Sequence, residues 1–187
     1  MDLSEAIKSR KSVKRFSDKK PDWRKILQAI DYARFAPMAG NIFTLKLILV
    51  SDEKIIEKIK NAAQQDFVRA PYVLVVTSNR ERVKKMYDLS DKGFAQQQAG
   101  AAIQNILLGF TEKGIATCWV GFFDDDIIRE VLEIPKNQTI EAIFPLGIET
   151  KVKTNPKEKP DLENIIYFDK FGNKIMQPET RVRHERA

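Results

Sequence analysis

From Trp23 onward the apolar residues Trp23, Ile26, Leu27, Ile30 and Ala33 recur every three or four positions, the spacing of one helix face. Asp22, after Pro21, can cap this helix, and Pro37 ends it. A short helix over Asp2–Ser9 precedes it. The run LKLILV, Leu45–Val50, is apolar and short enough for a buried strand. Ser51-Asp52-Glu53 opens another helix, with Ser51 as an acceptor for free backbone N–H groups. YVLVVT, Tyr72–Thr77, is β-branched and predicts a second strand. The longest helix is expected over Lys92–Lys113, with Ala95, Ala99, Ala102, Ile103, Ile106 and Phe110 on its apolar face and Gly114 beyond its end. Its small residues Ala99–Ala102 allow another helix, of the same chain or a partner, to come close. Further strands are expected at Ile115–Val120, Thr139–Leu146 and Ile165–Phe168, with a short helix begun by Asp124-Asp125-Asp126.

The pattern predicts an α+β fold, with helices covering a sheet of about five strands. The 187 residues suit one domain, expected over residues 1–173, with 174–187 as an arm or tail. Hydrophobic residues make up 43% and charged residues 31%, which excludes a disordered chain. No apolar run approaches the roughly 20 residues of a membrane-spanning helix, and MDLSEAIKSRK lacks a signal peptide's apolar stretch, so a cytoplasmic protein is expected. One cysteine, Cys118, and one histidine, His184, leave no zinc site and no internal disulfide. Protease-like nucleophilic machinery is equally disfavoured, so any enzyme chemistry points to a bound cofactor.

Net charge is +6, from 32 basic and 26 acidic residues, which suits a phosphate-bearing partner. The densest basic stretch is SRKSVKRF. Arg10, Lys11, Ser12 and Lys14 could converge on one phosphate, or form a solvated turn. Lys157 and Lys159, far along the chain, could close the same site or belong to an ordinary surface loop. In the loop APMAGN, small residues let a flat ligand approach the backbone, and Asn41 offers donor and acceptors to a ring edge; a plain helix-terminating loop is the alternative. At Gly121-Phe122-Phe123 a backbone N–H could meet a ring atom, or the segment could simply end a strand. Trp119 and Cys118 read as core strand residues, and Tyr32 and Phe35 as helix packing. A nucleic-acid module would need a basic stripe interleaved with aromatics, and the chain has none.

In order, AIKSRKSVKRF, FAPMAGN before LKLILV, AP with YVLVV, AAIQNILLGFTEKGIATCWVG, LEIP, AIFPLGIE and KEKPDLENIIY resemble the FMN-dependent nitroreductase family, from about Leu3 to Gly172. The resemblance implies a mainly antiparallel α+β fold built as an intertwined homodimer, with FMN in the subunit interface. It implies that Arg10, Lys11, Ser12 and Lys14 meet the FMN phosphate and ribityl chain, joined by Lys157 and Lys159. Pro37, Met38, Ala39 and Asn41 match a loop that reaches the isoalloxazine ring, in the family often from the other subunit. Gly121 matches the position whose N–H meets flavin N5, and Lys14 is the candidate for favouring the reduced flavin.

The implied activity is hydride transfer from NADH or NADPH to flavin N5 and then to an electron-poor, nitroaromatic or quinone-like acceptor, by a ping-pong mechanism. No side chain acts as a catalytic acid or base, and no metal or nucleic acid is implied. Where the family often has Asn-x-Gln-Pro-Trp, this chain has Asn41-Ile42-Phe43-Thr44-Leu45, and the stretch between Thr77 and Ala95 is short. A flavin-binding store or sensor without turnover is the second reading.

Overall fold

The computed structural model describes residues 1–87, 93–150 and 158–176. It divides into two compact units, Met1–Thr150 and Lys151–Ala187. The first unit holds a four-stranded antiparallel sheet of β1 (Leu45–Val50), β2 (Tyr72–Ser78), β3 (Ala116–Thr117) and β4 (Thr139–Gly147), in the order β1-β2-β4-β3. Leu45 faces Ser78, which faces Thr139; at the other end Val50 faces Val73, Tyr72 faces Leu146, and Leu146 faces Thr117.

The helices are α1 (Leu3–Ser9), α2 (Trp23–Asp31), α3 (Glu53–Ala63), α4 (Glu81–Tyr87), α5 (Phe94–Glu112) and α6 (Asp125–Val131). Capping follows short acidic side chains. Asp2 accepts from the Glu5 N–H at 2.8 Å, Asp22 from Arg24 at 2.9 Å, and Asp124 from Asp126 and Ile127 at 3.0 and 3.1 Å. At α3 the cap is Asp52 rather than the expected Ser51, with bonds from Lys54 and Ile55 at 2.8 and 3.1 Å. Asp52 sits one residue before the helix, where its carboxylate reaches the free N–H groups and also meets the positive end of the helix dipole.

The strands' two-residue period sorts their side chains to two faces. Leu74, Val76, Ala142, Phe144 and Leu146 meet α2 and α5 on one face, around Ile26, Ile103 and Phe110. Val73, Val75, Ile140 and Ile143 meet α3 and α6 on the other, around Ile59, Val68 and Ile128. Phe110 and Ile26 are fully buried, and each such side chain contributes about 1.5–3 kcal/mol.

Three expectations need correction. The strand foreseen over Ile115–Val120 is β3 plus one isolated bridge from Val120 to Ile143. Ile165–Phe168 is not a strand: a single helical turn, α7 (Leu162–Ile165), starts after Asp161 in the second unit, so the sheet has four strands among the described residues. Trp119 is not a core residue; it is 44% exposed. Tyr32–Phe35 forms a 3-10 turn after α2, from which the Tyr32 ring packs on Gly109 of α5, its hydroxyl donating to Glu112 at 3.3 Å, while Phe35 is 66% exposed.

Candidate functional site

The basic segment leaves α1 at Arg10, whose N–H closes the helix on the Ala6 carbonyl at 3.1 Å. It then runs beside β3 and the end of β4. The Val13 N–H donates to Thr117 at 2.8 Å, the Ser17 N–H to Ile148 at 2.8 Å, and the Thr150 N–H to Arg15 at 3.1 Å. Val13 is buried against this edge while Ser12 and Lys14 stay exposed, the alternation of an extended chain. Lys11 pairs with Glu149 at 2.7 Å. Lys14 Nζ lies 4.8 Å from the centre of the Phe67 ring. Arg10 and Ser12 have no side-chain hydrogen bond or ion pair among the described residues, so their donors are open to a ligand. The buried hydroxyls of Ser17 and Thr117, on the same edge, have no partner among the described residues either.

Gly121 follows on that edge. Val120 and Ile143 exchange two backbone hydrogen bonds of 3.0 Å, and the Asp124 N–H then binds the Ala62 carbonyl at 3.0 Å. The turn between is thus fixed at both ends. A Cβ on Gly121 would meet only the Trp119 indole, no closer than 3.8 Å, so nothing in the chain obstructs its backbone. Trp119 stands beside it in a T-shaped contact with the buried Phe144 ring, centroids 5.5 Å apart at 71°.

The loop Pro37–Asn41 is held differently. Gly40 and Asn41 both take the left-handed conformation, at φ 58° and 56°. A Cβ on Gly40 would meet only the flexible thioether end of the exposed Met86 of α4 and the Tyr87 hydroxyl, so it is the left-handed φ that favours glycine here. Behind the loop, the buried Gln98 accepts from the Thr44 N–H at 2.7 Å and the Thr44 hydroxyl at 2.6 Å, and donates to the Ile42 carbonyl at 3.1 Å. Sequence reasoning missed Gln98. Its signal was a glutamine one residue before Ala99 on an otherwise apolar helix face.

The two halves do not meet within one chain. The loop enters β1 at Leu45, at the Ser78–Thr139 end of one sheet edge; the basic segment lies at the Leu146 end of the opposite edge. Three strand spacings alone separate the edges by about 14 Å. Helix α5 shows the same offset: the loop is tied to Gln98, whereas α1 and the Tyr32 turn line a groove with Leu108, Gly109 and Glu112. Arg10, Lys11, Ser12, Lys14 and Gly121 therefore share one edge, and Pro37, Met38, Ala39 and Asn41 occupy the far corner. Lys159 is exposed in the second unit, and Lys157 lies outside the described residues.

The edge has the chemistry a flavin nucleotide requires. Among the described residues Arg10 and Ser12 offer a cationic and a hydroxyl donor without partners for a phosphate, and Gly121 an unobstructed backbone beside an exposed indole for a flat ring. Among the described residues no group of Cys, His, Asp or Glu could hold a metal, and no helix is long and apolar enough to cross a membrane. A separate polar cleft of about 800 Å³ borders Phe16, α3 and Arg69. Within it the Glu57 carboxyl is held below its ordinary range by the Lys60 hydrogen bond and, further off, by Arg69.

Residues 7–68 and 60–148 match the model of the nitroreductase family. A nitroreductase family protein from Clostridium novyi NT is 33% identical and superposes with a TM-score of 0.74, over 92% of this chain and 96% of its own. A protein of Archaeoglobus fulgidus, provisionally named an NADH dehydrogenase/NAD(P)H nitroreductase, is 30% identical over 83% of this chain and 86% of its own length. A Clostridium difficile protein described as an FMN-dependent nitroreductase has the same fold, with a TM-score of 0.74 at 22% identity over 90% of this chain and all of its own.

Proposed function

The chain belongs to the nitroreductase family, and from that premise we propose that it is an FMN-dependent NAD(P)H oxidoreductase acting as a homodimer. The observation that carries this reading is the single sheet edge on which Arg10, Ser12, Lys14 and Gly121 lie with open donors and an open backbone. Arg10 and Ser12 bind the phosphate, Lys14 adds positive charge from its seat on Phe67, and the Gly121 N–H faces the ring. Lys11 reaches the phosphate only by giving up Glu149.

Bound FMN supplies the redox chemistry, accepting hydride from NADH or NADPH and yielding it to an electron-poor acceptor such as a nitroaromatic or quinone. The protein's part is to orient the reactants and to provide charge. The far-corner loop, Pro37, Met38, Ala39 and Asn41, completes the site from a second copy. Two features support this. The loop and clamp are diagonally opposed in one chain. An apolar groove of about 470 Å³, lined by Leu3, Ala6, Tyr32, Phe35, Leu108 and Gly109, is left open on the face that such a copy would cover.

The test is an absorption spectrum of protein mixed with FMN and desalted, then exposed to each nicotinamide without oxygen. Flavin bands that survive desalting and bleach are expected. Retained flavin that neither nucleotide bleaches would favour a store or sensor. A protein that retains none has no such site.

A further inference from the structure

Two tryptophans occur in the chain, Trp23 and Trp119. Trp119 is placed unlike an ordinary surface residue. Its chain neighbours Cys118 and Val120 are 5% and 2% exposed, so the backbone at this point is locked into the sheet edge. Its ring meets Phe144, which is 1% exposed and belongs to the core, in a T-shaped contact. The residue as a whole is 44% exposed. It stands beside the Gly121 backbone and two residues after Thr117, whose carbonyl holds the basic segment through Val13. A large ring held still by the core, with an open surface next to an open backbone, is a preformed platform for another ring. Phe122 is more exposed, at 73%, and has no ring partner of this kind among the described residues.

Resting on the reading of FMN as cofactor, we propose that the open surface of Trp119 is the platform on which the isoalloxazine ring lies. The indole is electron-rich and the oxidised isoalloxazine electron-poor, so stacked contact is favourable. It also excludes water from one side of the flavin and leaves the other for nicotinamide and acceptor.

Contact has a readout independent of turnover. An indole touching an excited flavin donates an electron to it and recovers that electron in the dark, with no net oxidation, so the flavin does not fluoresce. Wild type, Trp119→Phe and Trp119→Ala are loaded with FMN and desalted, bound flavin is counted by absorbance, and emission per bound flavin is measured. Wild type should be dark and Trp119→Phe several-fold brighter. Trp119→Ala should bind FMN about tenfold more weakly. Trp23 is present in all three proteins and serves as the control. Full loading of Trp119→Phe with emission equal to wild type overturns the platform and leaves the FMN reading standing. Failure of wild type to retain FMN removes both.

Discussion

On one face of the sheet α3 and α6 close over Val73, Val75 and Ile143, and of the large apolar residues in those two helices only Ile127 stays exposed. On the other face α1, α2 and the turn after it leave Leu3, Ile7, Trp23, Leu27, Tyr32 and Phe35 exposed. The difference is written in α2. Ile26 and Ala29 point to the core, while Trp23 and Leu27, one turn apart, form a second apolar stripe on the outside. A helix with apolar residues on both sides is normally covered on both. The first face is covered by the chain itself; the second leaves these side chains uncovered, and Trp119, whose ring meets Phe144, lies on that face with the groove of Tyr32 and Phe35.

The strongest way to break this contrast is to charge the open face. Leu27→Lys with Phe35→Lys should dissociate the proposed dimer, with each position weakening it by about thirtyfold or more. Sedimentation at micromolar concentration checks this, and an unchanged dimer would show that the stripe is not the contact. Next is Arg10, at the rim of that face, where Arg10→Ala should weaken FMN binding by about 1.5–3 kcal/mol, measured by flavin titration. A smaller effect lies on α5, where two glycines look alike in sequence. A Cβ on Gly109 would come within 2.7 Å of the Tyr32 ring, whereas Gly100 has nothing within 4 Å. Gly109→Ala should cost about 1–3 kcal/mol, and Gly100→Ala should stabilise an isolated chain by up to about 1 kcal/mol, both read by denaturant unfolding.

The smallest expected effect is on the closed face. Glu57 is paired with Lys60 at 2.5 Å, and its carboxyl is lowered from its ordinary value chiefly by that bond. A lowered native value means that the pair stabilises the fold above the ordinary carboxylate range. That stability is lost as pH falls through the lowered value. Lys60→Ala should remove this small acid dependence from the melting curve without affecting FMN binding.

How far the sequence could be read depended on whether a residue's surroundings are local. The limits of β1 follow directly from LKLILV, because a short apolar run between polar residues has few other solutions. The segment from Ile165 to Phe168 is equally apolar and aromatic, yet it begins in the last residue of a single helical turn in the second unit, where β-propensity has no neighbouring strand among the described residues to realise it. The cluster of Arg10 to Lys14 was visible as charge, but its alternation along β3 was not, since Thr117 and Ile148 lie more than 100 residues away. Trp119 was misjudged because residue type suggests burial, while exposure depends on what covers the edge. Gln98 was overlooked because its partners, Thr44 and Ile42, come from another element.

The central claim is that each flavin site takes its clamp from one copy and its loop from another. Mixing two defective proteins tests this most directly. One is Arg10→Ala with Lys14→Ala, which breaks the clamp; the other is Gly40→Val, which breaks the loop. Each is unfolded, mixed with the other in equal amounts, refolded and loaded with FMN. If sites are shared, every mixed dimer regains one intact clamp facing one intact loop, and about a quarter of the wild-type flavin is retained. If the mixture binds no more FMN than the average of its two components, the clamp and loop act within one chain and the shared-site account is wrong.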